Sequence, residues 1–553
     1  MNKLRRKGTF SLLSISVLLA TALAGCSSSA QENTPAASTA PSAAPVKQEG
    51  PSWTWDKTPL KIKWFVDADW YKKNWDTGIN TLDKKITEET GISVEFITGN
   101  SDKFNALIAS GQLPDLVTTY HGSPQRELLE KGKRVLPLNE LIEKYAPDFK
   151  VPQSMQDWFR NKDGNFYGYV NYFYAPEEMT EENYYVTHNK LSMRKDLAEQ
   201  LGIPREGLDT KAGMLDALRK VRDAKLEYNG QKVIPFYPLE EKGAQYFAQQ
   251  FGMAWEDPQG NWLDWRKQPE ALEAVKFMNQ LYRENLMPLD SMLLKEEQLG
   301  SKVANGTVFA YQGQKMDQYA SKMEGASEKI GYWIAGPVKG DSAKEAYLSS
   351  SGLNGWTMTM ITKDSKHPDR LVRFFEYMTQ PEIVLNNVHG IEGVTWDMVD
   401  GHVVKKPEVQ AELDKDWAAA SQKYLNGMEW FTNWVPVQRS FPLPANELQR
   451  SNGEYESKVY GPRVMDDRTF DGLIPDAGTP EVATGVKLDE YWKKMESKMV
   501  LAKDDAELES LYKEAIQYMD QHDWQKWYDI MNAKFKANKE KLGLKFAYPP
   551  LQS

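Results

Sequence analysis

The chain has 553 residues, long enough for two or three ordinary hydrophobic cores. Its 78 acidic and 68 basic residues give a formal charge of −10, which argues against a nucleic-acid partner, since that needs a basic footprint. A single cysteine excludes a disulfide-stapled scaffold and a thiolate metal cluster, and six scattered histidines supply no metal constellation.

Lys3, Arg5, Arg6 and Lys7 make a cationic start, followed by an apolar run from Phe10 to Ala22. That run has the length of a signal-peptide core and is too short to span a bilayer comfortably. It ends at Leu23-Ala24-Gly25-Cys26, which resembles the lipobox of bacterial lipoproteins. The resemblance implies a diacylglycerol on the Cys26 thiol, whose two acyl chains suffice for stable anchoring. Loss of residues 1–25 removes four positive charges and no negative one, so −10 becomes −14. Residues 26–57 read as the lipidated cysteine and a disordered linker, rich in Ala, Ser and Pro up to about Ser52.

Folded sequence begins near Leu60, where Ile62, Trp64 and Val66 alternate with more polar neighbours as in a strand. A helix carrying Leu82 and Ile86 follows, with Gly91 placed as its C-terminal cap. Ile92, Val94 and Phe96 alternate again, a second helix spans Phe104 to Ala109 and stops at Gly111, and a third strand starts at Leu116-Val117. Strand–helix–strand–helix–strand at this spacing predicts an open α/β sheet. Further strands are expected at Val308–Tyr311, Tyr332–Ile334 and Trp356–Ile361. Leu272, Val275, Met278 and Leu281 form a helical core stripe, as do Leu508, Leu511, Ala515 and Tyr518.

Several segments now resemble the extracellular solute-binding proteins of ABC importers, in the carbohydrate-type group. They are Lys61–Asp67 (KIKWFVD), Ser110–Val117 (SGQLPDLV), Asp163–Gly168 (DGNFYG), Thr187–Lys190 with Met193–Leu197 and Leu201–Pro204, and Gly390–Gly393 with Trp396 and Gly401. The resemblance covers about residues 60–405 and implies a two-lobed α/β fold of the type II periplasmic-binding-protein kind, with a helical C-terminal part. It implies a first lobe at 58–186 and 337–388, and a second at 187–336 and 389–553. The chain crossings are expected at Tyr185–Asn189, Ala335–Val338 and Pro381–Gly390. Some long relatives carry an Asx-rich calcium loop, but Glu227–Phe236 lacks the oxygen-ligand spacing calcium needs. No metal and no cofactor is expected.

A sugar offers apolar C–H faces to aromatic rings and a hydroxyl rim to Asp, Asn, Gln and Arg. The 18 Trp and 26 Tyr supply such rings, and the informative ones follow strands, where open α/β sheets hold ligands. Asp67, Asp69 and Trp70 follow the first strand, and Thr119, Tyr120 and His121 follow the third. The bland alternatives are a helix N-cap with a surface Trp, and a hydrogen-bonded structural His. Gln312 and Gln314, Asn354 and Trp356, Trp396, and the cluster Trp430, Trp434, Asn433 and Arg439 complete the candidates, with core packing the alternative for each aromatic. Trp255, Trp262 and Trp265 flank the turn Asp257–Asn261 and read as a decorated hairpin or loop, with ligand contact the alternative.

The resemblance implies a monomeric, non-enzymatic binding lipoprotein on the extracellular face of the membrane. It would capture an oligosaccharide by hinge closure and deliver it to ABC permease subunits. A glycoside hydrolase is the alternative, needing two carboxylates across a cleft. A sensory binding lipoprotein serving a membrane receptor is another. No His-Glu-x-x-His, Gly-x-Ser-x-Gly, P-loop or Gly-x-Gly-x-x-Gly occurs.

Overall fold

The computed structural model describes residues 50–544 except 76–80, 181–182, 239–242, 324, 343, 426–427, 445 and 477. The leader, Cys26 and most of the linker lie outside the described residues.

The strand Leu60–Asp67 buries Ile62, Trp64, Phe65 and Val66, so its second half is covered on both faces. The helix Thr81–Thr90 buries Leu82 and Ile86, and Gly91 follows with φ +72°. A Cβ at Gly91 would sit 2.4 Å from the Lys57 carbonyl oxygen, so a side chain cannot replace it without moving the backbone. The helix Ser101–Ser110 starts at Asn100, whose side chain accepts from the Lys103 amide, and stops at left-handed Gly111.

Among the described residues the first sheet has the spatial order Ile92–Gly99, Leu60–Asp67, Leu116–Tyr120, Thr357–Ile361, Gly168–Val170. The first three strands are parallel, and Thr357–Ile361 runs antiparallel to both its neighbours. It inserts after the chain has built most of a second sheet, in the order Tyr332–Ala335, Leu191–Arg194, Val308–Gln312, Ile234–Tyr237. Only the last pair of that sheet is parallel. Each sheet has its own core, and the result is the two-lobed type II arrangement.

The C-terminal helices Pro480–Val500, Asp505–Gln521 and Trp524–Lys541 cover the second core. Trp262 packs on Trp527 and Tyr528, and Trp265 on Trp492, beside the turn at Gly260. These tryptophans serve the core of the second lobe. Glu227–Tyr228 and Gln231–Lys232 pair across Asn229-Gly230, both with φ > 0, as a tight hairpin.

Four expectations need correction. Ser52–Trp55 belongs to the folded body and not to the linker: Ser52 is buried and donates to Glu376, and Trp53 packs edge-on to Tyr377. Met428, Trp430 and Phe431 join the first core, so residues after 389 are not all second-lobe. Pro381–His389 is a helix seated on the first lobe, with Ile383 in its core, and not a crossing. Val338 still packs in the second core, so the return crossing comes later, at 348–351.

There the connecting segments lie side by side. The Ser351 amide donates to the Val186 carbonyl at 2.8 Å, and the Thr187 hydroxyl to the Ser349 carbonyl at 2.6 Å. On the other flank Leu348 bridges Val464, and the Ser350 amide and hydroxyl both donate to the Asp467 carboxylate. Burial pushes that carboxyl up to about 6, against the two Ser350 bonds that favour its ionised form.

Candidate ligand cleft

The parallel strands of the first sheet end at Asp67 and Tyr120, and the chain leaves both ends into loops facing one cavity of about 310 Å³. Asp67, Asp69, Trp70, Asn100, Tyr120 and Trp356 line it. A strand carboxyl end is where an open sheet exposes loop side chains and unpaired backbone, which explains why polar and aromatic loop side chains gather there.

The walls are aromatic. Trp70 and Trp356 lie face to face with centroids 6.0 Å apart and planes 10° apart. Trp430 supports both, at 6.4 Å from Trp70 and 5.7 Å from Trp356. Trp430 is fully buried while Trp70 is 56% exposed, so the first is a foundation and the second a presented face. Tyr71 meets Trp430 edge-on at 4.9 Å from beneath.

The polar side starts at Asp67, whose carboxylate accepts the Thr119 hydroxyl at 2.8 Å. Burial raises the Asp67 carboxyl above its ordinary range, opposed by that bond. Thr119 is buried and also meets the Ser123 hydroxyl at 3.1 Å, so it positions Asp67. Tyr120 is half exposed at the rim, and burial of its hydroxyl, then the charge on Asp471, pushes it up to about 12, keeping it a donor.

The remaining candidates divide. Asn354 is buried behind the cavity and donates to Asp471 at 2.8 Å, with its own amide oxygen unpartnered. His121 approaches the same carboxylate at 3.7 Å, and burial lowers its basicity. Gln312 belongs to the second lobe, where its strand ends beside the first crossing; it is fully buried and neither amide atom has a protein partner. Trp434 touches the far side of the aromatic cluster, 5.5 Å from Tyr172.

Thr119, Asn354, Gln312 and Trp434 thus lie outside the cavity lining, and two further candidates belong to other parts of the structure. Trp396 is fully buried among Val384, Leu385 and Val437 and donates its indole N–H to the Gly390 carbonyl at 2.6 Å. It pins the Gly390 turn and is a core residue. Arg439 lines a separate cavity of about 770 Å³ on the first lobe, with Glu178, Asn433, Trp53 and Tyr169. The helix Trp434–Arg439 turns it away from Trp434, five residues earlier.

Tyr172 was not among the sequence candidates, yet its ring lies 6.5 Å from Trp356 and 5.5 Å from Trp434. Its φ is +56°, unusual for a bulky residue. Its amide donates to the Thr432 carbonyl at 2.7 Å and its hydroxyl to Glu429 at 2.6 Å, and these bonds hold the strained conformation. Burial raises the Glu429 carboxyl. The aromatic run Tyr172-Phe173-Tyr174 after a glycine-led strand was the available signal.

Two lobes on separate sheets, side-by-side crossing segments and a solvent-open aromatic cavity at strand ends make up the type II periplasmic-binding-protein-like fold. Residues 75–384, more than half of the chain, match the family described as bacterial extracellular solute-binding protein, and the chain belongs to that family. No curated protein matches it. The fold is similar to that of the Streptococcus pneumoniae ABC-transporter substrate-binding protein FusA in complex with kestose, at TM-score 0.67 and 15% identity over 87% of this chain and all of that one. It is also similar to the alginate-binding protein AlgQ2 without calcium ion (TM-score 0.64, 17% identity, 88% of this chain and 99% of that). A third likeness is an HMO-binding, ABC-transporter-associated solute-binding protein from Bifidobacterium longum infantis (TM-score 0.61, 14% identity, 87% and 99%).

Proposed function

We propose that the protein is the extracellular capture component of an ABC importer, anchored through lipidated Cys26, and that its ligand is an oligosaccharide bound by closure of the two lobes. The observation that carries this is the Trp70–Trp356 pair, presented to solvent beside Asp67 and Asp69. Flat apolar faces next to hydroxyl acceptors suit a pyranose ring, with its C–H faces and hydroxyl rim. The proteins of like fold support the reading by name: one holds kestose, one is alginate-binding and one HMO-binding. The crossing segments supply the hinge, and a ligand touching both lobes favours the closed form by its differential affinity. Trp70, Trp356 and Tyr120 are the contacts assigned to the first lobe and Gln312 to the second.

Incubation with a broad oligosaccharide panel tests this. At least one member is expected to raise Tm by several degrees and to be recovered intact. Shortened sugars in the mixture would favour a hydrolase instead, and no shift with any sugar would refute the oligosaccharide reading.

A further inference from the structure

The cleft has a charge sign, and it bears on which sugars fit. The residues lining the Trp70–Trp356 cavity include two carboxylates, Asp67 and Asp69, and, among the described residues, no Lys, Arg or His. Asp67 receives one hydrogen bond, from neutral Thr119. Among the described residues, no cation lines the cavity beside it.

The end of the second sheet beside the first crossing carries cations that are paired or neutralised. Its strands Leu191–Arg194 and Val308–Gln312 end there, and the pairing continues as Gly313 donates to the Lys190 carbonyl and Gln314 to that of His188. Lys190 is buried and held between Asp317 at 3.3 Å and Glu456 at 3.0 Å. Lys315 pairs with Glu296 at 3.3 Å. Burial, and then the charges of Lys315 and Lys190, push His188 down to about 4, so it is neutral at ordinary pH. Among the described residues of this wall, the polar groups without a protein partner are neutral: the buried amide of Gln312 and the amide oxygen of Gln314.

From this juxtaposition we infer that the cleft selects against carboxylated sugars and takes neutral oligosaccharides, with Asp67 as the residue that sets the preference. A uronate seated on the tryptophans would bring its charge against Asp67 and Asp69 in a partly desolvated site with no cation to meet it. A neutral hydroxyl in the same place donates to Asp67. The inference rests on the oligosaccharide reading above and narrows it, and it sets this chain apart from the alginate-binding protein of like fold.

Calorimetric titration of the intact protein with length-matched pairs tests it: hexamers of mannose and mannuronate, and of galactose and galacturonate. Within a pair that binds, the neutral member is expected to bind at least tenfold more tightly, about 1.4 kcal/mol. Asp67→Asn, which retains an acceptor for Thr119, is expected to shrink that ratio several-fold, and raised salt to shrink it less, since the group is half-buried. Asp69→Asn, at an exposed position, is expected to shrink the ratio in the same direction but less, and it reports on the charge of the site should Asp67→Asn misfold. Equal or tighter binding of the uronate overturns the inference, as does a ratio unmoved by both variants. Binding of no hexamer in either pair overturns the inference as stated, while the broad panel decides the oligosaccharide reading separately.

Discussion

Trp356→Ala is expected to bind the oligosaccharide on the order of 30-fold more weakly, about 2 kcal/mol, with Tm nearly unchanged. Trp356 is half-buried between Trp70 at 6.0 Å and Trp430 at 5.7 Å, with Tyr172 at 6.5 Å. Its removal takes away one face of the platform and leaves its partner Trp70 without a parallel neighbour, while the core below keeps Trp430. An aromatic anchor in a desolvated pocket is the kind of residue whose truncation costs 2 kcal/mol or more. Trp417 is the control: it is 52% exposed, with Lys322 over its ring, and does not line the cavity. Trp417→Ala should leave affinity unchanged. Calorimetry on both variants decides the point, and equal affinity of Trp356→Ala and wild type would remove Trp356 from the site.

Trp430→Ala is expected to lower stability by about 3–5 kcal/mol and to weaken binding as well. The indole is fully buried in the first core, contacts Tyr71 and supports both platform tryptophans. Truncation leaves a cavity directly beneath the recognition surface, so Trp70 and Trp356 lose their fixed positions. Trp396→Ala separates the two effects. Trp396 is equally buried but sits in the cluster with Val384, Leu385 and Val437, away from the cavity. It should cost similar stability while the folded fraction keeps wild-type affinity. Chemical denaturation and calorimetry on the pair measure this, and loss of affinity in Trp396→Ala would restore that residue to the site.

Much of the first lobe was legible because its signals are local. Alternation at Ile62, Trp64 and Val66, the Gly91 and Gly111 stops and the third strand at Leu116 each follow from backbone periodicity and glycine geometry. Asp67, Trp70, Thr119 and Tyr120 were legible for the same reason, since strand ends locate them. The crossings were harder. The return at 348–351 and the Val464–Asp467 flank are fixed by hydrogen bonds between segments more than a hundred residues apart, which leave no periodic trace. The fate of Trp430 was equally non-local: it enters the first core from a stretch rich in helix and far along the chain. Trp396 and Trp430 carry the same local signal, a tryptophan near polar turn residues, and only packing separates a core pin from a platform foundation. Arg439 follows Trp434 closely in sequence, but a helical turn sends it to another cavity.

A sugar that bridges the two lobes is expected to draw them together. Small-angle X-ray scattering of the intact protein, with and without the panel oligosaccharide that stabilises it most, tests this directly. Closure predicts a smaller radius of gyration at saturation, with a change that follows the calorimetric titration. A radius unchanged at full occupancy would contradict hinge closure.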